Sequence, residues 1–518
     1  VVITVDQFRA DFLDRFAHLF GPGGFRRLLK DGAFFANANY DYVPTYTAPG
    51  HAAIFTGAGP AQNGIVGNTW FDRAAGRVRI MVSDTQVRTI GTNGVVGEAG
   101  APSPRVLLGS TLGDQMRLSN NYQSKVVAVA LKDRSAVLPG GHNPNGAYWF
   151  DNRTGSFVTS DYYTKELPGW VKTFNTKERP DKYFGRKWER TLSADAYKIA
   201  QTENTPAQRS TLGSKFPYTV TGGEEHPGPR FYSAFEITPF ASEYLWNFAR
   251  TAVESESLGS DEFPDLLAIS FSSPDLAGHY YGPDSQELVD TWVRLDRLVA
   301  DLLVYLDRRV GASNFVVAVS GDHGVAPVPE YLQSRRIDSG RINPRDITNA
   351  VGEALKQKFG DKKWVLGFVN EQVYLDHKLI AEQKLNASEV EQVSGEAALA
   401  VPGIVAYYTR TQIAEGRMPP NPIARRIQNG FHPARCGDVW LVTKPFYFVA
   451  EGALATTHGS PYNYDTHVPI VLLGPGVRAG RYFIECSPAD IAPTLSALLG
   501  IETTPNRVGR VLPAIGAH

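Results

Sequence analysis

Cysteine is scarce in this sequence: Cys436 and Cys486 are the two thiols in a chain of 518 residues. So few thiols exclude a disulfide framework and a thiolate metal centre. The two residues could pair in an oxidising compartment or remain as separate buried thiols, and the sequence leaves both possibilities open.

An excess of charge of one sign and long apolar runs are also lacking. The formal net charge is −1, so a polybasic surface for nucleic acid or an anionic membrane is not indicated. No stretch approaches the ~20 apolar residues that cross a bilayer. We therefore expect no nucleic-acid-binding surface and no membrane span. We also expect small-molecule substrates and a monomer.

Apolar β-branched runs alternate with helical patterns, which is typical of an α/β fold with a largely parallel sheet flanked by helices. The predicted core strands are Val1–Val5, Val126–Ala130, Leu266–Phe271, Phe315–Val319 and Val468–Leu473, and the clearest helical patterns cover Ala241–Ser255, Ser285–Val310 and Pro488–Leu499. We predict a single catalytic domain over residues 1–518. It carries a loop-rich insertion at 138–230 and a second insertion, with its own helices and short strands, at 330–450, which we expect to cap the active site.

Carboxylates and imidazoles lie next to these strands, where ligands bind in open α/β sheets. They are Asp6 after the first strand, Asp275 and His279 after Leu266–Phe271, Asp322 and His323 after Phe315–Val319, and His458 and His467 before the last strand. Each fragment alone is weak evidence, since an Asp-His pair in a loop is usually a solvated turn. Four such fragments at one sheet edge favour a metal centre, and this mixture of ligands suits zinc.

A loop turning into a helix is predicted over Pro44–Gly57, with Thr47 at or near its N-cap. Pro49 suits the first turn and Gly57 can end the helix. Threonine is a common cap, which is the plain structural interpretation. The chemical alternative is a nucleophile, because a helix N-terminus favours an anion and a zinc-bound hydroxyl loses its proton more readily.

The set of motifs resembles the alkaline phosphatase superfamily. The resemblance rests on Asp6, Thr47-Ala-Pro-Gly-His51, Asp275-x-x-x-His279, Asp322-His323-Gly324 and His458-Gly459, which span nearly the whole chain. Superfamily members with this threonine pattern include nucleotide pyrophosphatase/phosphodiesterases and PafA-like bacterial alkaline phosphatases.

The resemblance implies two zinc ions per chain. One would be held by Asp6, Thr47, Asp322 and His323, and the other by Asp275, His279 and His458. His467 competes with His458 for the last position, and the His-Gly step favours His458. A magnesium site is not predicted, because the sequence shows no third carboxylate cluster. The resemblance also implies a periplasmic or secreted location, with any signal peptide outside this chain.

Asn68, Lys132 and Arg134 point to phosphate monoesters. The resemblance gives PafA-like phosphatases asparagine, lysine and arginine in these settings, whereas the related phosphodiesterases lack the Lys-x-Arg pair. The charge balance agrees, since three aspartates and a threonine alkoxide neutralise two zinc ions. Lys132 and Arg134 then add two positive charges to match a monoester dianion. The expected reaction proceeds through a covalent phosphothreonine and releases inorganic phosphate.

The sequence leaves three alternative functions open. The first is a phosphodiesterase or nucleotide pyrophosphatase on the same fold. The second is a sulfatase or phosphonate hydrolase, although the segment Thr47-Ala-Pro-Gly-His51 lacks the arginine of the sulfatase motif. The third is a catalytically silent binding protein, which an intact set of ligands, nucleophile and basic residues disfavours.

Overall fold

The computed structural model describes residues 1–201, 210–450, 452 and 454–515. Its main sheet has eleven strands. They are β1 (Val2–Val5), β2 (Ala33–Asn39), β3 (Thr89–Gly91), β4 (Gly94–Val96), β5 (Val126–Ala130), β6 (Gly146–Asp151), β7 (Ser156–Ser160), β8 (Leu266–Phe271), β9 (Val317–Gly321), β10 (His467–Leu473) and β11 (Gly480–Tyr482). All five predicted core strands are present, with small shifts at their ends.

The strand order across the sheet is β11-β2-β10-β9-β1-β8-β5-β6-β7-β3-β4. The central strands β9, β1, β8, β5 and β6 are parallel, as predicted. Strand β10 runs antiparallel to both β9 and β2, and β7 runs antiparallel to β6. The sheet is therefore mixed: its centre is parallel and is flanked on each side by antiparallel pairs, while the outermost pair, β2 and β11, is parallel. Because β10 is reversed, its first residues lie at the edge where the parallel strands end.

Both faces of the sheet are covered, which explains why its central strands are apolar at nearly every position. Ile3 and Val5 of β1 pack into a cluster with Trp292. Val2, which points to the other face, packs with Ile54 and Phe55. The nucleophile helix predicted from the sequence therefore lies directly on the sheet.

The helices cover the two faces and the insertions. The longer ones are Phe25–Asp31, Thr47–Thr56, Leu112–Ser119, Arg134–Gly140, Gly169–Lys177, Pro229–Glu236, Pro239–Ser255, Ser273–Tyr281, Gln286–Leu306, Pro344–Phe359, Ala387–Leu399, Pro422–Gly430 and Ile491–Leu499. Shorter ones are Asp11–Arg15, Pro60–Asn63, Pro329–Ser334, His377–Glu382, Arg410–Ala414 and Asn463–Thr466. The helix Gln286–Leu306 begins where Ser285 accepts a hydrogen bond from Leu288 N, and its apolar stripe is buried as its sequence spacing predicted.

The two segments interpreted as insertions differ in how they join the sheet. Residues 146–160, within the first, form β6 and β7 of the main sheet itself. The 330–450 segment builds a separate antiparallel sheet, in the order Val365–Val369, Gln372–Leu375, Val439–Thr443 and Ile404–Thr409. Short strand pairs complete the fold: Thr69–Asp72 with Arg77–Ile80, Lys187–Trp188 with Tyr218–Thr219, and Gly340–Ile342 with Tyr447–Val449.

Two further expectations concern the thiols and the membrane. Cys436 and Cys486 are both buried and free, so the structure has the separate thiols rather than the disulfide. Within the described ranges, no helix combines the length and the apolar character that crossing a bilayer requires.

Candidate active site

The carboxyl edge of the parallel strands gathers the predicted metal ligands. Asp6 follows β1 and Asp322 follows β9, while Asp275 lies in the first turn of the helix that follows β8. His458 lies in the loop before β10. Because β10 runs in the reverse direction, this loop reaches the same edge of the sheet. Residues far apart in sequence meet here because parallel strands end together.

The first group of ligand atoms belongs to Asp6, Asp322 and His323, and all three side chains are fully buried. Nε2 of His323 lies 3.3 Å from Oδ1 of Asp6 and 3.5 Å from Oδ2 of Asp322. Among the described residues, those two carboxylate oxygens have no hydrogen-bond donor. Buried charged oxygens without donors are costly, and a bound cation would compensate them.

The second group belongs to Asp275, His279 and His458. Oδ1 of Asp275 lies 3.2 Å from Nε2 of His279 and 3.7 Å from Nε2 of His458. Asp275 and His279 are one helical turn apart, so their side chains share a face of the helix Ser273–Tyr281.

Backbone carbonyls orient all three histidines in the same way. Nδ1 of His279 donates to Thr456 O at 2.9 Å, Nδ1 of His323 to Gly324 O at 2.8 Å, and Nδ1 of His458 to Thr45 O at 2.8 Å. Each Nε2 is thereby left as the acceptor facing the carboxylates, which is how metal-binding histidines are held. His467 instead bonds through Nε2 to Ala36 O at 2.9 Å and belongs to neither group, which favours His458.

Crowding of carboxylates shifts their pKa values in opposite directions. Burial, followed by the Asp6 charge, raises the pKa of Asp322 well above its ordinary range. Burial and Asp275 act to raise the pKa of Asp6 as well, but Lys132 and His323 hold it below its usual value. Paired carboxylates, oriented imidazoles and oxygens without donors form a donor set that fits zinc at both groups.

Thr47 is the first residue of the helix Thr47–Thr56 and is 1% exposed. The N-cap position belongs to Tyr46, and no side chain caps the helix. The Thr47 hydroxyl therefore does not act as the cap that the plain interpretation predicted. Its Oγ1 atom lies 3.4 Å from Nε2 of His323, beside the first ligand group.

The three residues expected to hold phosphate have different surroundings. Oδ1 of Asn68 accepts a hydrogen bond from Ala48 N at 2.9 Å, which ties it to the helix Thr47–Thr56. Nζ of Lys132 donates to Oδ2 of Asp6 at 2.6 Å and also to Oδ2 of Asp275, so it bridges the two ligand groups. Arg134 begins the helix Arg134–Gly140, and its buried Nε has no hydrogen-bond partner within the described part of the chain.

Two residues of the site carried no predicted role. Gln7 donates from its backbone N to Asp322 at 3.1 Å and from Nε2 to Asp275 at 2.8 Å, linking the two groups. His51 donates from Nδ1 to Thr47 O at 2.9 Å and contacts Ser270 Oγ through Nε2 at 2.8 Å. The sequence did offer a signal for each residue: Gln7 directly follows Asp6, and His51 comes one helical turn after Thr47.

Known proteins resemble this chain along nearly its whole length. Residues 1–466 match the family model for type I phosphodiesterase / nucleotide pyrophosphatase. Alkaline phosphatase PafA of Elizabethkingia meningoseptica is 37% identical over 99% of this chain and 94% of its own. A Myroides odoratus protein named calcium-transporting ATPase is 37% identical over 98% and 93%. Alkaline phosphatase PhoV of Synechococcus elongatus is 35% identical over 99% and 92%.

The crystal structure of wild-type alkaline phosphatase PafA superposes with a TM-score of 0.91, at 36% identity, over 99% of this chain and 98% of that one. The chain belongs to the type I phosphodiesterase / nucleotide pyrophosphatase family. Within the family it is similar along its whole length to the PafA group of alkaline phosphatases. The expected fold, and the assignment to the hydrolases, are confirmed.

Proposed function

We propose that this protein is a two-zinc alkaline phosphatase that hydrolyses phosphate monoesters through a covalent phosphothreonine and releases inorganic phosphate. The observation that carries the proposal is the position of Thr47. Its hydroxyl lies at a helix N-terminus and next to His323, beside the first of the two groups of metal-ligand type. The PafA and PhoV relatives, named as alkaline phosphatases, support the same reaction class.

Asp6, Thr47, Asp322 and His323 would hold one zinc ion, and Asp275, His279 and His458 the other. When bound, two zinc ions supply Lewis acidity that favours the ionised Thr47 hydroxyl and stabilises charge on the attacking and leaving oxygens. Gln7 keeps Asp275 and Asp322 at a constant separation through its two hydrogen bonds.

Thr47 Oγ1 attacks phosphorus in line with the leaving alkoxide, and the new P–O bond forms as the ester bond breaks. The start of the helix favours negative charge on the transferred group. Asn68 has its Oδ1 engaged by Ala48 N, so its amide N–H groups are free to donate to a non-bridging oxygen. Water then hydrolyses the phosphothreonine and regenerates the Thr47 hydroxyl.

Lys132 and Arg134 favour a monoester over a diester. Three aspartates and the Thr47 alkoxide balance two divalent ions, so these two side chains carry the charge that matches a dianion. Burial alone would lower the pKa of Lys132, but Asp275 and Asp6 raise it above its ordinary value, so the side chain remains an ammonium. We also propose a periplasmic or secreted location, which the resemblance implies, and a monomeric state.

A phosphodiesterase on the same fold is the second candidate, because the matching family model carries that description. A panel of aryl phosphate monoester, diester and sulfate ester substrates, assayed with added zinc, separates the two. We expect the monoester to be hydrolysed with the highest kcat/KM. A higher value for the diester would favour the phosphodiesterase, and no turnover of any ester would contradict both.

A further inference from the structure

A two-residue turn of the 330–450 segment reaches the active site. Asn370 and Glu371 join the strands Val365–Val369 and Gln372–Leu375, and both have positive φ angles, 53° and 56°. That conformation matches the type I′ turn of tight hairpins. The backbone O of Glu371 accepts a hydrogen bond of 2.8 Å from Leu441 N, so the turn is anchored on a neighbouring strand.

Each residue of the turn contacts a neighbour of a proposed active-site residue. Oε2 of Glu371 accepts a hydrogen bond of 3.3 Å from the Tyr46 hydroxyl, and Tyr46 directly precedes Thr47. Nδ2 of Asn370 donates to Thr69 O at 2.7 Å, and Thr69 directly follows Asn68.

Neighbouring atoms pack closely against Asn370 and Tyr46, the side chains that make these two contacts. A Cβ atom at Gly67, on the other side of Asn68, would lie only 2.2 Å from Nδ2 of Asn370. A Cβ atom at Gly459 would lie 2.7 Å from the Tyr46 ring. That ring also packs edge-on against His458, with centroids 5.3 Å apart. A shift of the turn would therefore displace the backbone around Asn68. Through Tyr46 it would also displace Thr47 and His458.

We propose that Asn370, Glu371 and Tyr46 are positioning residues that hold Thr47 and Asn68 at the separation needed for phosphoryl transfer. The inference rests on the proposed function, since Thr47 and Asn68 act there as nucleophile and phosphate ligand. Misplacing a reacting group by about 1 Å can cost on the order of 100-fold in rate. The turn thus links the 330–450 segment to the proposed nucleophile and phosphate ligand.

The test compares five single variants and one double variant with the wild-type holoenzyme on an aryl phosphate monoester. Tyr46→Phe removes the hydroxyl and keeps the ring, while Glu371→Gly and Asn370→Gly remove the side chains and keep the positive φ. Glu371→Gln retains an oxygen that can accept from Tyr46. Lys384→Gly is the matched control, since Lys384 is an exposed positive-φ residue (φ 52°) of the same segment.

We expect Tyr46→Phe, Glu371→Gly and Asn370→Gly each to lower kcat about 10-fold or more, with zinc content and Tm near wild type. Glu371→Gln and Lys384→Gly should keep wild-type kcat. The Tyr46→Phe/Glu371→Gly double variant should be no worse than the poorer single one, because both remove the same contact.

Wild-type kcat in Tyr46→Phe and Glu371→Gly would overturn the proposal. So would a loss of activity matched by a loss of zinc, because the turn would then act on folding or metal binding. Wild-type enzyme without phosphatase activity would instead contradict the proposed function, so the two failures are distinguishable.

Discussion

The imidazole rings of His323 and His458 stack face to face, with centroids 3.5 Å apart and planes inclined by 14°. His323 belongs to one group of metal-ligand atoms and His458 to the other, so the two groups are in direct contact. Burial, followed by the charge of His323, lowers the pKa of His458 well below its ordinary value. Two protonated rings would repel each other at this distance, so the pair favours a neutral imidazole that can bind a cation through Nε2.

Removal of metal should abolish activity and lower stability. Three buried aspartates surround these rings, and without cations their repulsion opposes the folded state. We expect dialysis against a chelator to eliminate aryl phosphate turnover and to lower Tm, and added zinc to restore both. Magnesium alone is the control and should restore neither. Full turnover by protein shown to be free of metal would contradict the two-zinc assignment.

Thr47→Ala should abolish monoester turnover while zinc binding largely survives. The change deletes the hydroxyl beside His323 and leaves the carboxylates and imidazoles in place. Thr47→Ser is the matched control, because it keeps a hydroxyl and should retain measurable activity. Mass spectrometry after rapid quenching should find phosphate on Thr47 in the wild-type chain. Turnover at the wild-type rate in Thr47→Ala would exclude the residue as nucleophile.

Lys132→Ala combined with Arg134→Ala should reduce monoester turnover far more than diester turnover. A diester carries one negative charge fewer, so it gains less from the two cations. We expect the ratio of monoester to diester kcat/KM to fall by at least about 100-fold, since each charged hydrogen bond contributes about 1.5–3 kcal/mol. Lys165→Ala, at an exposed position, controls for the loss of surface charge. Equal losses for both substrates would favour the phosphodiesterase.

Glu236 should make stability depend on pH near neutrality. Burial raises its pKa to about 7, while Asn152 donates a hydrogen bond of 3.0 Å to its Oε2. The folded state therefore keeps a proton that the unfolded chain has already lost, and stability falls as pH rises from about 4.5 to 7. Glu236→Gln cannot ionise, so relative to wild type it should gain roughly 2–3 kcal/mol in free energy of unfolding between pH 5 and pH 8.

Denaturant unfolding at the two pH values measures this difference. Glu225→Gln removes the same charge from an exposed position and should show little pH-dependent gain. Parallel pH profiles for Glu236→Gln and the wild type would show that Glu236 is ionised in the folded protein.

Much of the site could be predicted because its ligands follow buried strands. Asp6, Asp275 and Asp322 each come just after a strand that is apolar at nearly every position, and parallel strands end at one edge. The helix that begins at Thr47 was also predictable, because Pro49 suits a first turn and Gly57 can end a helix. The directions of the outer strands were harder to predict, because an apolar run does not reveal whether its strand runs parallel or antiparallel.

The sequence by itself determined the strands, the residue types at their ends and the helix that begins at Thr47, because these depend on local spacing and side-chain chemistry. Tertiary structure alone decided that β10 is reversed, which brings the loop that carries His458 to the edge where the ligand groups lie. It also decided that carbonyls of Thr45 and Thr456 orient His458 and His279, and that Glu371 contacts Tyr46. These contacts join residues more than a hundred positions apart, and packing between distant elements selects them rather than any local pattern.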